Sequence, residues 1–160
     1  MKLHHSIQVG LSFGLTSGVI TTLGLVVGLA AGTASRLAVL GGIVTIAVAD
    51  SLSDALGIHV SEESESIHTQ KEIWASTLAT FASKLVMALS FAIPVLVFDL
   101  TTAVVASVAW GVLALAALSY HLARLQGGRA WPVVAEHLAV AAAVIAISHF
   151  VGRFINSALS

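Results

Sequence analysis

The sequence predicts an all-α membrane protein, a bundle of five transmembrane helices. Hydrophobic residues make up 58% of the 160-residue chain, and charged residues make up only 9%. A soluble domain carries about 25% charged residues because its surface faces water. So few charges cannot cover a water-facing globule, and we therefore expect lipid to face most of the surface. The apolar runs are long and continuous, whereas the strands of a membrane barrel would show short alternating segments.

Five segments are long enough to cross a hydrocarbon core of about 30 Å, which requires roughly 20 apolar residues of helix. We predict helices over residues 7–34, 37–60, 74–98, 101–122 and 132–155, within one membrane domain that covers residues 1–160. Residues 61–73 are polar and are predicted to form an acidic cytoplasmic connector between the second and third helices.

The basic residues outside these helices predict the orientation in the membrane. Five crossings place Lys2, Lys71, Arg124 and Arg129 on one side, and Arg36 and Arg153 on the other. Lysine and arginine are concentrated in cytoplasmic loops. We therefore expect a multi-pass protein with its N-terminus inside and its C-terminus outside, in a prokaryotic cytoplasmic membrane.

The first predicted helix carries glycines at four-residue spacing. Two runs contain them: Gly10, Gly14 and Gly18, then Gly24, Gly28 and Gly32. Small residues four apart form a flat stripe that lets helix backbones approach closely in lipid. Two interpretations stay open, namely packing within one chain, and a homodimer seam or pathway wall.

The acidic residues are concentrated in one part of the chain. Six of the eight acids lie between Asp50 and Glu72. Asp50 and Asp54 are four residues apart, so they share one face of the second helix. Acids inside a membrane span are costly and usually line a water-filled or ion pathway. The alternative is an ion pair with Lys84 of the third helix, although one lysine cannot neutralise two aspartates.

The polar stretch that follows contains both carboxylates and imidazoles, which suit divalent ions such as Mn²⁺ and Fe²⁺. We predict a cytoplasmic metal-capture site formed by Glu62, Glu63, Glu65 and Glu72 with His59 and His68. The alternative is a solvated connecting helix, because charge runs are usually solvated and the spacing matches no closed metal motif. If the second helix continues past the membrane boundary, Glu62 and Glu65 stay close to the face of the two aspartates.

Composition and motifs also exclude several classes of function. The chain has no cysteine, which excludes disulfides and thiolate metal sites. Its net charge of −1 argues against nucleic-acid binding. No His-Glu-x-x-His motif is present, and we expect no enzyme, no catalytic residue and no permanently bound cofactor.

Residues 10–65 resemble the vacuolar iron transporter family, which includes the yeast-type iron and manganese importers of the vacuole and their prokaryotic relatives. The matching segments are GVITTL at residues 18–23 and ADSLSDALG at residues 49–57. The five-helix layout and Gly152-Arg153 also fit, so the resemblance covers the whole chain. It implies a homodimer with the metal path between the first two helices of both subunits. It also implies export of Fe²⁺ or Mn²⁺ from the cytoplasm in exchange for protons.

The chain departs from the family pattern at two positions of this path and in one segment. Ser17 stands where family members usually carry aspartate, and Asp54 stands where they usually carry methionine. The long cytoplasmic metal-binding insert of the plant members is absent. The departures exchange a soft thioether donor for oxygen, which favours hard ions. We therefore expect Asp50 and Asp54 to bind the metal, with Ser17, Thr21 and Lys84 along the pathway.

The sequence thus predicts a divalent metal transporter whose partners are a second copy of the chain, the lipid bilayer and the transported ions. The alternative is a membrane metal sensor or interaction subunit that binds ions at the acidic stretch without moving them.

Overall fold

The computed structural model describes residues 2–159, and helices account for all of its regular structure. The helices are α1 (Lys2–Thr33), α2 (Arg36–Glu65), α3 (Gln70–Ser90), α4 (Ala92–Val97), α5 (Leu100–Leu125) and α6 (Ala130–Leu159). No strand occurs within residues 2–159. The prediction of an all-α protein is confirmed.

Five helical spans are long and apolar enough to cross a membrane, as the sequence predicted. They are Leu3–Thr33, Arg36–Glu65, Gln70–Val97, Leu100–Leu125 and Ala130–Leu159, the third combining α3 and α4. The outer surface carries many exposed apolar side chains, including Leu37, Trp131 and Phe154. Such a surface is suited to lipid, because a soluble monomer rarely exposes large contiguous apolar patches.

The segment between the second and third spans is mostly helical. The predicted connector covers residues 61–73, but α2 continues to Glu65 and α3 begins at Gln70, which leaves only residues 66–69 between them. Ser66 ends α2 with a left-handed backbone (φ 56°). Thr69 and Glu72 form a capping box, in which each side chain accepts a hydrogen bond from the other residue's backbone N–H.

A break at Phe91 divides the third span into α3 and α4. Pro94 explains the break, because a proline ring clashes with the carbonyl four residues earlier, here that of Ser90, and donates no hydrogen bond. The Ser90 hydroxyl accepts a hydrogen bond from the Trp110 indole N–H at 3.0 Å. This contact gives Trp110, which lies in the middle of α5, a polar partner inside the span.

α1 lies at the centre of the bundle and contacts α2, α3, α5 and α6. The buried apolar core includes Val19, Leu23, Val26, Ile43, Phe91 and Leu115. Gly10, Gly14 and Gly18 lie against α3, whereas Gly24, Gly28 and Gly32 lie against α6. The glycine stripe of α1 therefore packs within one chain, which is the first of its two interpretations.

Candidate functional site

Three charged side chains meet inside the bundle between α2 and α3. The Lys84 Nζ of α3 lies 2.5 Å from Asp50 Oδ2 and 2.5 Å from Asp54 Oδ2. The contact with Asp54 is also a hydrogen bond, whereas the contact with Asp50 is an ion pair without hydrogen-bond geometry. The ion pair that the sequence left as an alternative is thus present, with one lysine between both aspartates.

Ser17 of α1 completes this group. Its hydroxyl donates to Asp54 Oδ2 at 2.7 Å and accepts from Lys84 Nζ at 2.9 Å. Ser17 and Asp54, the two positions at which the sequence differs from the family that it resembles, are therefore in direct contact. Thr21 lies one turn further along α1, where its hydroxyl donates to the Ser17 carbonyl at 2.9 Å. We call Ser17, Asp50, Asp54 and Lys84 the charged cluster.

Local sequence explains why these side chains meet. Asp50 and Asp54 lie one helical turn apart on the same face of α2. Gly18 lets α1 approach α3 closely, because a Cβ there would lie 3.2 Å from Met87 Cβ and 3.3 Å from the Lys84 carbonyl oxygen. The close approach brings Ser17 within reach of the lysine.

Burial differs between the cation and its two anions. The Lys84 side chain is 1% exposed, whereas those of Asp50 and Asp54 are 27% and 20% exposed. Asp50 also lines a shallow open groove on the outside of α1 and α2, together with Leu25, Gly42, Thr45, Ile46, Ala49 and Ser53. The two carboxylates therefore lie nearer to the surface of the bundle than the ammonium does.

The charges of the cluster do not cancel. Two ionised carboxylates and one ammonium leave a formal charge of −1 inside a predicted membrane span. Burying charge is costly unless it is paired and hydrogen-bonded, and intramembrane charged groups usually mark ion or substrate pathways. The cluster is consequently the strongest candidate for a functional site in the described part of the chain.

The predicted capture residues are divided between the inside and the outside of the bundle. Glu62 is buried and accepts a hydrogen bond from the Ser76 hydroxyl at 2.6 Å. Glu72 is buried and takes part in the capping box of α3. Glu63 and Glu65 are exposed. The helical periodicity of α2 explains the division, because Glu62 faces α3 while its neighbours face away.

The two histidines of the capture set also have different partners. His59 Nδ1 lies 3.1 Å from the Thr77 hydroxyl, and its ring makes an edge contact with Trp74. His68 Nε2 lies 3.2 Å from Glu65 Oε2. Among the residues that the structure describes, no group of three or more His, Asp or Glu side chains is close enough to hold a metal ion. The capture site stays a prediction.

A row of hydroxyl groups on α3 lies between the buried Glu62 and the partly exposed aspartates of the charged cluster. Ser76, Thr80 and Ser83 are buried on this helix, between Glu62 and the charged cluster. Glu62 follows Asp54 by eight residues, which is about 12 Å along a helix. The Thr80 hydroxyl has no hydrogen-bond partner. Sequence reasoning missed this row, although its spacing of four and three residues was visible.

A second missed feature is a stripe of small residues on the exposed face of α2. Gly41, Thr45, Ala49, Ser53 and Gly57 are four residues apart and all are exposed. A Cβ added at Gly41 or Gly57 would have no neighbour within 4 Å. We call these five residues the α2 stripe. It borders Asp50 and, unlike the glycine stripe of α1, is not covered by another helix of the same chain.

Comparisons with family models, with curated proteins and with solved structures give no match for this chain.

Proposed function

We propose that this protein is a transporter that exports divalent metal cations, Fe²⁺ or Mn²⁺, from the cytoplasm in exchange for protons. The observation that carries the proposal is the charged cluster, in which Asp50 and Asp54 of one span gather around a single cation beside an open groove. Inside a membrane, paired carboxylates of this kind are expected along ion pathways.

The donor atoms of the cluster determine which ions it suits. Asp50, Asp54 and Ser17 offer carboxylate and hydroxyl oxygens, and the chain has no cysteine. Oxygen ligands favour hard divalent ions such as Mn²⁺ over soft ions such as Cu⁺. Aspartate carboxylates that release a metal ion can bind protons instead, which provides a physical basis for exchange.

The resemblance of the first two helices to vacuolar iron transporters supports the same function. Of the resembling segments, residues 18–23 follow Ser17 directly, and residues 49–57 contain Asp50 and Asp54. The contact between Ser17 and Asp54 supports a joint role for the two departures. The carboxylate lies on the second helix instead of the first, and the Ser17 hydroxyl of the first helix donates a hydrogen bond to it.

We further propose that the protein works as a homodimer in a prokaryotic cytoplasmic membrane. The α2 stripe supports a dimer, because small residues at four-residue spacing allow close helix packing in lipid. A second copy on this face would also cover the groove beside Asp50, so that the partly exposed carboxylate would face protein or enclosed water instead of lipid.

Direction and orientation follow from the charges at the helix ends. We place the N-terminus inside, which puts the exposed carboxylates Glu63 and Glu65 on the cytoplasmic side. Negative charge at a pathway mouth raises the local concentration of cations. Glu62, about 12 Å from Asp54 along α2, then provides an intermediate carboxylate between this mouth and the charged cluster.

Metal flux into sealed proteoliposomes, measured with and without a pH gradient, tests this function. We expect Mn²⁺ uptake that is stimulated by an opposing proton gradient and shows counterflow. Binding of Mn²⁺ without flux or counterflow would contradict transport and favour the alternative, a metal sensor or interaction subunit.

A further inference from the structure

The position of Lys84 carries an inference that rests on the proposed function and goes beyond it. Three oxygens from two helices surround its Nζ atom: Asp50 Oδ2 and Asp54 Oδ2 at 2.5 Å, and Ser17 Oγ at 2.9 Å. This is the arrangement of a cation within an oxygen shell, and the cation is the protein's own. We propose that the Lys84 ammonium competes with divalent ions for Asp50 and Asp54, and that a divalent ion binds these aspartates only by displacing the ammonium.

Electrostatics requires the displacement. A divalent ion bound by Asp50 and Asp54 would use the same carboxylate oxygens that now contact the ammonium. Two cations at such short separation in a site of low dielectric repel each other strongly. The bound metal and the present position of the ammonium are therefore mutually exclusive.

The side-chain chemistry of lysine makes the displacement possible. The ammonium is a point charge at the end of a flexible four-carbon stem, unlike the rigid planar group of arginine. Helical side chains lean towards the N-terminus of their helix, over the residues three and four positions earlier. For Lys84 this direction leads towards Thr80.

Thr80 offers an acceptor in that direction. It lies one turn before Lys84 on α3 and is fully buried, and its hydroxyl has no hydrogen-bond partner. A buried hydroxyl without a partner is unfavourable, so an ammonium that moves to it gives the Thr80 hydroxyl the hydrogen-bond partner that it lacks. Lys84 thus has two positions in our account, one between the aspartates without metal and one at Thr80 with metal.

Equilibrium binding of Mn²⁺ to the purified, detergent-solubilised protein tests the proposal, with free Mn²⁺ measured by electron paramagnetic resonance. Lys84→Met removes the competing charge and keeps a side chain of similar length. We expect this variant to bind Mn²⁺ at least about tenfold more tightly than the wild type. Lys84→Arg retains a permanent cation on a less adaptable group and should bind no more tightly than the wild type. Unchanged or weaker binding by Lys84→Met would overturn the proposal.

Two further results keep the test decisive if Lys84→Met is unstable. Recovery of a monodisperse protein on addition of Mn²⁺ would support the proposal, because the metal would then replace the missing ammonium, and failure to recover would contradict it.

Thr80→Val removes the second position of the ammonium without removing a contact of the metal-free state. It should preserve the thermal stability of the metal-free protein and weaken Mn²⁺ binding several-fold, and unchanged binding would contradict the role of Thr80.

These measurements separate the inference from the transport function. Tighter binding by Lys84→Met without flux in any variant would support displacement and reject transport. Flux by the wild type without any gain in affinity in Lys84→Met would support transport and reject displacement.

Discussion

Ser17 is the residue that connects α1 to the charged cluster. Its hydroxyl is at once a donor to Asp54 and an acceptor from Lys84. Hydrogen bonds to charged groups contribute more to stability than those between neutral groups. Ser17 therefore fixes the orientation of both ions relative to α1.

Ser17→Ala should lower the stability of the protein in detergent by about 2 kcal/mol, because both ions lose a hydrogen-bond partner. Thermal unfolding of the purified protein measures the effect. Ser12→Ala is a matched control, since the Ser12 hydroxyl bonds only to the Gln8 carbonyl of its own helix. Equal stability of the two variants would contradict the role assigned to Ser17.

Glu63 and Glu65 are the predicted capture residues that can be replaced with the least effect on packing, because both are exposed. Glu62 and Glu72 are buried and hydrogen-bonded, so their replacement would also affect packing or helix capping. Glu63→Gln with Glu65→Gln should raise the half-saturation concentration for Mn²⁺ flux by up to about tenfold, because the negative charge that concentrates cations is lost.

Flux at a series of Mn²⁺ concentrations measures this effect, with Glu136→Gln as a control for an exposed carboxylate on α6. A decrease confined to the maximal rate would indicate a gating or structural role for the two glutamates instead.

At the scale of helices, the glycines of α1 determine where two other helices can pack closely against it. Gly10, Gly14 and Gly18 face α3, and the next three glycines face α6. A Cβ at Gly14 would lie 2.6 Å from the Thr80 carbonyl oxygen, which belongs to the backbone and cannot move aside without moving α3.

Gly14→Ala should therefore destabilise the protein by about 1–3 kcal/mol, the usual cost of overpacking. Gly28→Ala should be neutral or stabilising by up to about 1 kcal/mol, since alanine favours helix over glycine and the added Cβ would lie at an ordinary van der Waals distance, 3.4 Å, from the Ser148 carbonyl oxygen. Thermal unfolding of both variants tests the packing of α1 on α3. A neutral Gly14→Ala would contradict it.

The number of apolar helical spans could be predicted from the sequence because each apolar run matches the thickness of a bilayer, although the third span is divided into two helices. The spacing of Asp50 and Asp54 likewise fixed their common face. The end of α2 does not follow from hydropathy, because the helix continues to Glu65, beyond the apolar run. The capping box at Thr69 and Glu72 starts α3 before the first apolar residues of the third span. The partners of the α1 glycines depend on the order of helices in the bundle, which periodicity in a single helix does not specify.

At the scale of the whole molecule, the proposed dimer and the proposed ion path depend on neighbouring residues of α2. The α2 stripe provides a close-packing surface, and Asp50 borders it. The chain has no cysteine, so a single introduced thiol reports on contacts between copies without interference.

Ser53→Cys should form a disulfide-linked dimer in native membranes under mild oxidation, because the α2 stripes of two copies would lie against each other. Ala82→Cys is the matched control, as it lies on the exposed face of α3. Electrophoresis without reductant measures the cross-linked fraction. Equal cross-linking at both positions, or none at Ser53→Cys, would contradict a dimer through α2.

The central claim is that the two aspartates of the charged cluster carry the transported ion. Mn²⁺ flux in proteoliposomes containing Asp50→Asn or Asp54→Asn tests it most directly, with Glu136→Gln as the control and monodispersity in detergent as the check on folding. Asparagine cannot supply the negative charge that a divalent ion needs on leaving water. We expect flux at the level of empty liposomes in both variants and wild-type flux in the control. Wild-type flux in a folded Asp50→Asn or Asp54→Asn variant would contradict the claim.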